Sequence, residues 1–175
     1  FVNYVKTLEE GFAKFPNEEF FLMSLIDAYI QSSQNEKAIS YLNTAIAQKP
    51  SDSQLYHALG IVYETGIKDY AKAEETFKKA LEVNPESVES MSALGRIYYN
   101  QAVNKQGEAN MSNDSKKYQE ELTIAKDLFI QALPYFQKAH EMKPSESEYM
   151  VALRGIYYNL NMGPELEAIE AEMNK

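Results

Sequence analysis

Few residue types in this chain could do chemistry. Its two histidines, His57 and His140, lie 83 positions apart, which disfavours a shared metal. His140-Glu141 opens like the His-Glu-x-x-His helix, which presents two imidazoles to zinc from one face. Position 144 is Pro144, so the second ligand is missing. Both histidines are read as surface or groove residues. With no cysteine there is no thiolate ligand, thiol nucleophile or disulfide. No Gly-x-Gly-x-x-Gly, phosphate-cradling Gly-Lys-Ser/Thr or Gly-x-Ser-x-Gly run occurs. Carboxylates stand beside lysines at helical spacing, as Glu75 does with Lys78 and Lys79. Such pairs are solvated and weak, unlike an acid/base dyad. The expectation is a non-enzymatic protein with no cofactor and no metal.

Charge and hydropathy narrow the partners. Lys plus Arg number 17 and Asp plus Glu 26, so 17 − 26 gives a net −9. An acidic surface repels phosphate backbones, which excludes nucleic acid. No apolar run reaches the length of about 18 residues that would suggest a membrane span, so membrane insertion is not expected. Asn110-Met111-Ser112 and Asn113-Asp114-Ser115 match the N-glycosylation triplet, a common chance match in polar turns.

The elements that would hold any site are set by a repeat. Pro16, Pro50, Pro85 and Pro144 are spaced by 34, 35 and 59 residues, and 59 is 34 plus 25. Upstream of the last three stand alanines seven apart: Ala38 and Ala45, Ala73 and Ala80, Ala132 and Ala139. Further upstream come Leu25 and Tyr29, Leu59-Gly60 and Tyr63, and Leu94-Gly95 and Tyr98; Leu153 and Tyr157 follow Pro144. Spacings of three and four place these residues on amphipathic helices. Glycine costs a helix about 1 kcal/mol, so Gly60 and Gly95 imply close approach of a neighbouring helix backbone. Each proline ends a unit because it cannot continue a helix. Ser33, Ser51 and Ser145, each three residues before Glu36, Gln54 or Glu148, predict capping boxes.

These residues resemble the tetratricopeptide repeat, a helix-turn-helix unit of 34 residues. The second unit carries the pattern as Tyr56, Leu59, Gly60, Tyr63, Ala73, Phe77, Ala80 and Pro85. The third carries Met91, Leu94, Gly95, Tyr98, Ala132, Phe136, Ala139 and Pro144. The first has Leu22, Leu25, Tyr29, Ala38, Leu42, Ala45 and Pro50, with Ile26 at the glycine position. The fourth has Met150, Leu153 and Tyr157, with Arg154 at that position and a degenerate second helix. No unit keeps the family tryptophan: the chain has 13 Tyr, 8 Phe and no Trp. The implied fold is all-α, a right-handed α-α superhelix of about nine helices. It divides into a half-unit at 1–16, repeats at 17–52, 53–86 and 87–145, and a degenerate repeat with cap at 146–175.

Both ends and one insert depart from the pattern. Phe1, Val5, Leu8, Phe12 and Phe15 form an apolar stripe that Pro16 closes, read as the second helix of a truncated repeat. Leu166 to Met173 reads as a terminal helix whose glutamates face solvent. The insert, about 100–122, lies between the two helices of the third unit. The first helix is expected to run on through Gly107. Ser112 to Ser115 make a turn and N-cap, and Tyr118, Leu122, Ala125 and Phe129 line a long second helix that Pro134 should bend. A tetratricopeptide unit extended this way looks like bacterial members of the family, which favours an exported or periplasmic location over a cytoplasmic one.

In that family the first helices line a concave groove. The resemblance places groove residues at Phe20, Met23, Asp27 and Gln31; at Gln54, His57, Ile61 and Glu64; at Glu89, Ser92, Arg96 and Tyr99; and at Glu148, Val151, Gly155 and Tyr158. Only Arg96 among them is basic, so the Lys/Asn/Arg clamp that some members use on acidic chaperone tails is missing. The expected function is an interaction scaffold holding a protein or peptide segment, basic or amphipathic with apolar anchors. Two alternatives are a structural module, self-assembling as a homo-oligomer through the N-terminal open end, and a helical domain of an exported solute-binding or enzyme-associated protein.

Overall fold

The computed structural model describes residues 2–15 and 18–174, apart from the side chains of Val2 and Glu19. Phe1 and Pro16 lie outside the described residues. The fold is all-α: α1 (Val2–Lys14), α2 (Glu19–Gln31), α3 (Asn35–Gln48), α4 (Ser53–Ile61), α5 (Tyr70–Val83), α6 (Val88–Met111), α7 (Ser115–Met142), α8 (Ser147–Asn159) and α9 (Gly163–Met173). They form two compact units, 1–87 and 88–175.

In the first unit, Leu25, Tyr29, Ala38 and Leu42 are fully enclosed together with Val62. Val5 and Leu8 of the N-terminal stripe join this core. Phe15 does not: it is exposed and stacks on Phe21 with centroids 6.1 Å apart. In the second unit, Ala125, Phe129, Ala132, Phe136 and Ala139 alternate spacings of four and three along α7 and are buried. Ala102 and Ala109 of α6 are fully buried as well. Small side chains on both helices let this pair run as one tight antiparallel hairpin. The insert is therefore helical, α6 passing through Gly107 and α7 continuing through Pro134.

The punctuation follows the backbone chemistry of proline. Lys49, Asn84 and Lys143 end α3, α5 and α7, with ψ of 68°, 96° and 72°. Each precedes a proline, whose ring disfavours the helical ψ in the residue before it. The expected capping boxes are not formed. Ser33 has φ 58° and closes α2 in a left-handed turn, so it cannot take the extended backbone of an N-cap. The caps fall one residue later, on Gln34, Asp52 and Glu146, and of these only Asp52 accepts from a backbone N–H, that of Gln54 at 3.1 Å. Asp114 caps α7 by accepting from the N–H groups of Lys116 and Lys117. The terminal helix begins earlier than expected, at Gly163, because Pro164 suits the first turn.

Gly60 and Gly95 serve a side chain rather than a neighbouring backbone. A methyl at Gly60 would overlap the Phe77 ring, and one at Gly95 would come within 2.8 Å of Phe136. The aromatic of each second helix is seated in the notch that glycine leaves in the first.

The turns from first to second helix share one design, which one repeat modifies. Gln34 N–H bonds Tyr29 O at 2.8 Å, and Met162 N–H bonds Tyr157 O at 2.9 Å, both reaching back five residues across a left-handed residue, Ser33 or Asn161. This is the Schellman closure. In the second repeat Val62–Ile67 winds as a π turn, and Asp69 N–H reaches back six residues to Tyr63 O. The 35-residue spacing between Pro50 and Pro85 has its extra residue here.

Candidate functional site

Fifteen of the sixteen expected groove residues fall at spacings of three and four on α2, α4, α6 and α8, one face per helix, and Glu64 falls in the π turn Val62–Ile67 that follows α4. Their exposure divides them. In the first unit Asp27, Gln31 and Gln54 are exposed, and Phe20 is 68% exposed with its ring edge-on to Phe21 at 5.5 Å. Met23 is half-buried against the core. His57 is half-buried on the Phe77 ring, 5.4 Å between centroids, and Ile61 is half-buried. Glu64 is buried inside the π turn. Tyr158 holds the corresponding place in its repeat and is exposed, whereas Ile30 and Tyr99 at that place are half-buried. The wider winding accompanies the loss of this carboxylate from the accessible face.

In the second unit Glu89 is exposed and accepts from Lys143 Nζ at 2.9 Å, which holds the Lys143 ammonium above its ordinary pKa. Ser92 is buried and its hydroxyl donates to Glu89 O at 3.1 Å; Arg96 is half-buried. Tyr99 packs edge-on against Phe129 at 5.5 Å and covers Gly155, where a Cβ would meet the tyrosine hydroxyl at 2.5 Å. These two expected groove residues thus fill each other's space. Glu148, Val151 and Tyr158 stay open, Val151 at 48% and Tyr158 at 72% exposure.

His140 is not the surface or groove residue expected. Its side chain is 16% exposed, and Nε2 lies 3.3 Å from Glu172 Oε1 on α9. Glu172 therefore faces α7, whereas Glu165, Glu167 and Glu170 are exposed as expected. Among the described residues no group of three His, Cys, Asp or Glu side chains could hold a metal ion. No helix among them is long and apolar enough to cross a membrane.

Two features lie outside the repeat pattern. One is the junction of α8 and α9, where Tyr158, Met162 and Leu166 border a cavity of about 520 Å³. Met162 and Leu166 lie outside any repeat position, so their spacing gave no signal. The other is the brace inside the extended hairpin. Lys105 on α6 meets Glu108 at 2.7 Å and Glu121 of α7 at 3.0 Å, and these carboxylates raise the pKa of its ammonium.

Known proteins share this architecture. The tetratricopeptide-repeat family model matches residues 53–87. Tetratricopeptide repeat protein 37 of Xenopus laevis is 33% identical over 82 residues, covering 44% of this chain and 5% of that protein. The crystal structure of MamA superimposes with a TM-score of 0.65 at 15% identity, covering 96% of this chain and 83% of that one. A monomeric mutant of IFIT1 with Gppp-AAAA gives 0.69 at 20% identity, covering 93% and 34%. Residues 53–87 match the tetratricopeptide repeat, and the chain resembles tetratricopeptide-repeat proteins in its all-α fold of repeated helix pairs. That fold supports an interaction scaffold in general terms.

Proposed function

We propose that the protein is a non-enzymatic scaffold that holds a segment of a protein partner against the exposed face of its first helices. The carrying observation is on α8. Tyr149, Leu153, Ile156 and Tyr157 of this helix are buried, while Val151 and Tyr158, seven residues apart on one face, stay open to water. An apolar-aromatic pair left uncovered beside an acidic side chain, Glu148, suits an amphipathic segment with apolar anchors and a basic residue. On the first unit Asp27 and Gln31 offer acidic and amide contacts from α2.

Capture from lysate of the source organism tests the reading. The wild-type chain is compared with Asp27→Lys/Gln31→Lys, with Val151→Lys/Tyr158→Lys, and with a control pair on α5, Lys72→Glu/Lys79→Glu. Loss of the same captured proteins in either face variant, with retention in the control, supports the scaffold. Unchanged capture by both face variants removes it.

A further inference from the structure

The insert in the third repeat changes what stands beside α8. On α6, Tyr99, Val103 and Gln106 follow one another at spacings of four and three and share a helix face. Tyr99 covers Gly155. One and a half to two turns further along, Gln106 Nε2 donates to Asn159 Oδ1 at 2.5 Å, and Asn159 Nδ2 donates to Gly155 O at 2.8 Å. The added length of α6 is thus a wall fastened to the C-terminal half of α8, with Val103 44% exposed between the two attachment points. Where α8 passes into α9, the cavity bordered by Tyr158, Met162 and Leu166 opens to solvent.

The cavity's charge is the informative property. The chain carries a net −9, yet no side chain lining this cavity bears a formal charge. A lysine or a carboxylate entering it would lose water with no counter-ion to meet. The polar residues bordering it are Tyr157, Tyr158, Asn159 and Asn161, and Asn159 is already engaged on both amide atoms. About 520 Å³ is ample for one large side chain. Tyr158 joins the cavity to the exposed first-helix face.

We infer that this cavity is the anchor subsite of that face and takes one uncharged aromatic or branched aliphatic side chain of the protein partner, beside a wall built by the α6 extension. The inference rests on the scaffold reading above. The test uses the full chain labelled with ¹³C at methionine methyls. Four capped tripeptides serve as probes: Ac-Gly-X-Gly-NH2 with X as Trp, Leu, Lys or Glu. The Trp and Leu peptides should shift the Met162 methyl saturably, the Lys and Glu peptides about tenfold more weakly or not at all. Tyr158→Ser, at an exposed position that does not hold the core, should weaken the Trp peptide severalfold; Gln106→Ala should do so through the wall.

Absence of any saturable shift, equal response to all four peptides, or an unchanged response in Tyr158→Ser would overturn the subsite. A Met162 shift that tracks protein concentration without peptide would assign the cavity to a second copy and overturn it too. Failure here, with capture still lost in Val151→Lys/Tyr158→Lys, leaves the scaffold standing. Unchanged capture by both face variants removes the scaffold whatever the peptides do.

Discussion

The backbone N–H of Asp69 closes onto the carbonyl of Tyr63 at 2.9 Å, six residues back, where the first and fourth repeats close over five. The π turn is the physical form of a one-residue insertion. Thr65 within it is exposed, and its hydroxyl is spent on Ile61 O one turn below. Deleting Thr65 should convert the closure to the five-residue form and change unfolding free energy by no more than about 1 kcal/mol. Deleting Lys78 from α5 should be far worse, by several kcal/mol, because it rotates Ala80 away from the face it shares with Ala73 and Phe77. Urea unfolding of the two deletions decides this, and equal losses would refute it.

The glycine notches give a second contrast. Gly60→Ala and Gly95→Ala gain about 1 kcal/mol of helix propensity but drive a methyl into Phe77 or Phe136. Overpacking costs about 1–3 kcal/mol, so both should be net destabilised by up to about 2 kcal/mol. Gly107 has nothing within 4 Å of an added Cβ, so Gly107→Ala should stabilise by about 0.5–1 kcal/mol. Adding Phe77→Leu to Gly60→Ala should recover part of the loss, read as a coupling energy in a double-mutant cycle.

Tyr29 makes a pH prediction. Its ring is fully enclosed, and its hydroxyl donates to Glu9 Oε1 at 2.6 Å. Burial, then the bond to Glu9, then nearby Tyr41 hold its proton well beyond the ordinary tyrosine range. The folded state binds this proton more tightly than the unfolded chain. The stability it contributes is complete below about pH 10 and falls as pH rises above that. In an alkaline titration followed by tyrosinate absorbance, this residue should ionise only with unfolding. Tyr29→Phe should lose about 1 kcal/mol at neutral pH and remove that late-titrating component. A Tyr29 that ionises with exposed tyrosines while the fold persists would count against the bond.

Much of this molecule was readable from spacing, because the repeat encodes packing. The buried residues Tyr29, Ala38, Phe77, Ala132 and Phe136 stand at pattern positions, and the prolines at Pro50, Pro85 and Pro144 follow helix ends. What could not be read depends on side-chain direction or on one-residue register. Ser33 fits a capping box by sequence, yet the left-handed turn takes it first. Tyr99 and Tyr158 occupy matching positions. Only the structure shows that Tyr99 is consumed by Phe129 and Gly155 while Tyr158 is left open. His140 looked solvent-facing because its partner Glu172 comes from α9, a helix that the repeat pattern leaves undefined.

Three left-handed non-glycine residues among the described ones relate the repeats to one another. Ser33, Lys68 and Asn161 have φ of 58°, 63° and 56° and hold equivalent places after their first helices. A left-handed conformation costs an L-residue about 1–2 kcal/mol, which glycine avoids at an entropic cost of about 0.5–1 kcal/mol. Asparagine tolerates the conformation better than serine or lysine. Ser33→Gly and Lys68→Gly should therefore each stabilise by about 0.5–1 kcal/mol, and Asn161→Gly should be close to neutral. Ser33 also spends its backbone N–H on Ile30 O, a bond glycine keeps, so the substitution removes strain without opening the turn. Ser33→Ala is the discriminating partner: it retains the Cβ and should show no gain. Thermal melts of the four variants check the order, and a gain in Ser33→Ala equal to that in Ser33→Gly would show that backbone strain is not the cause.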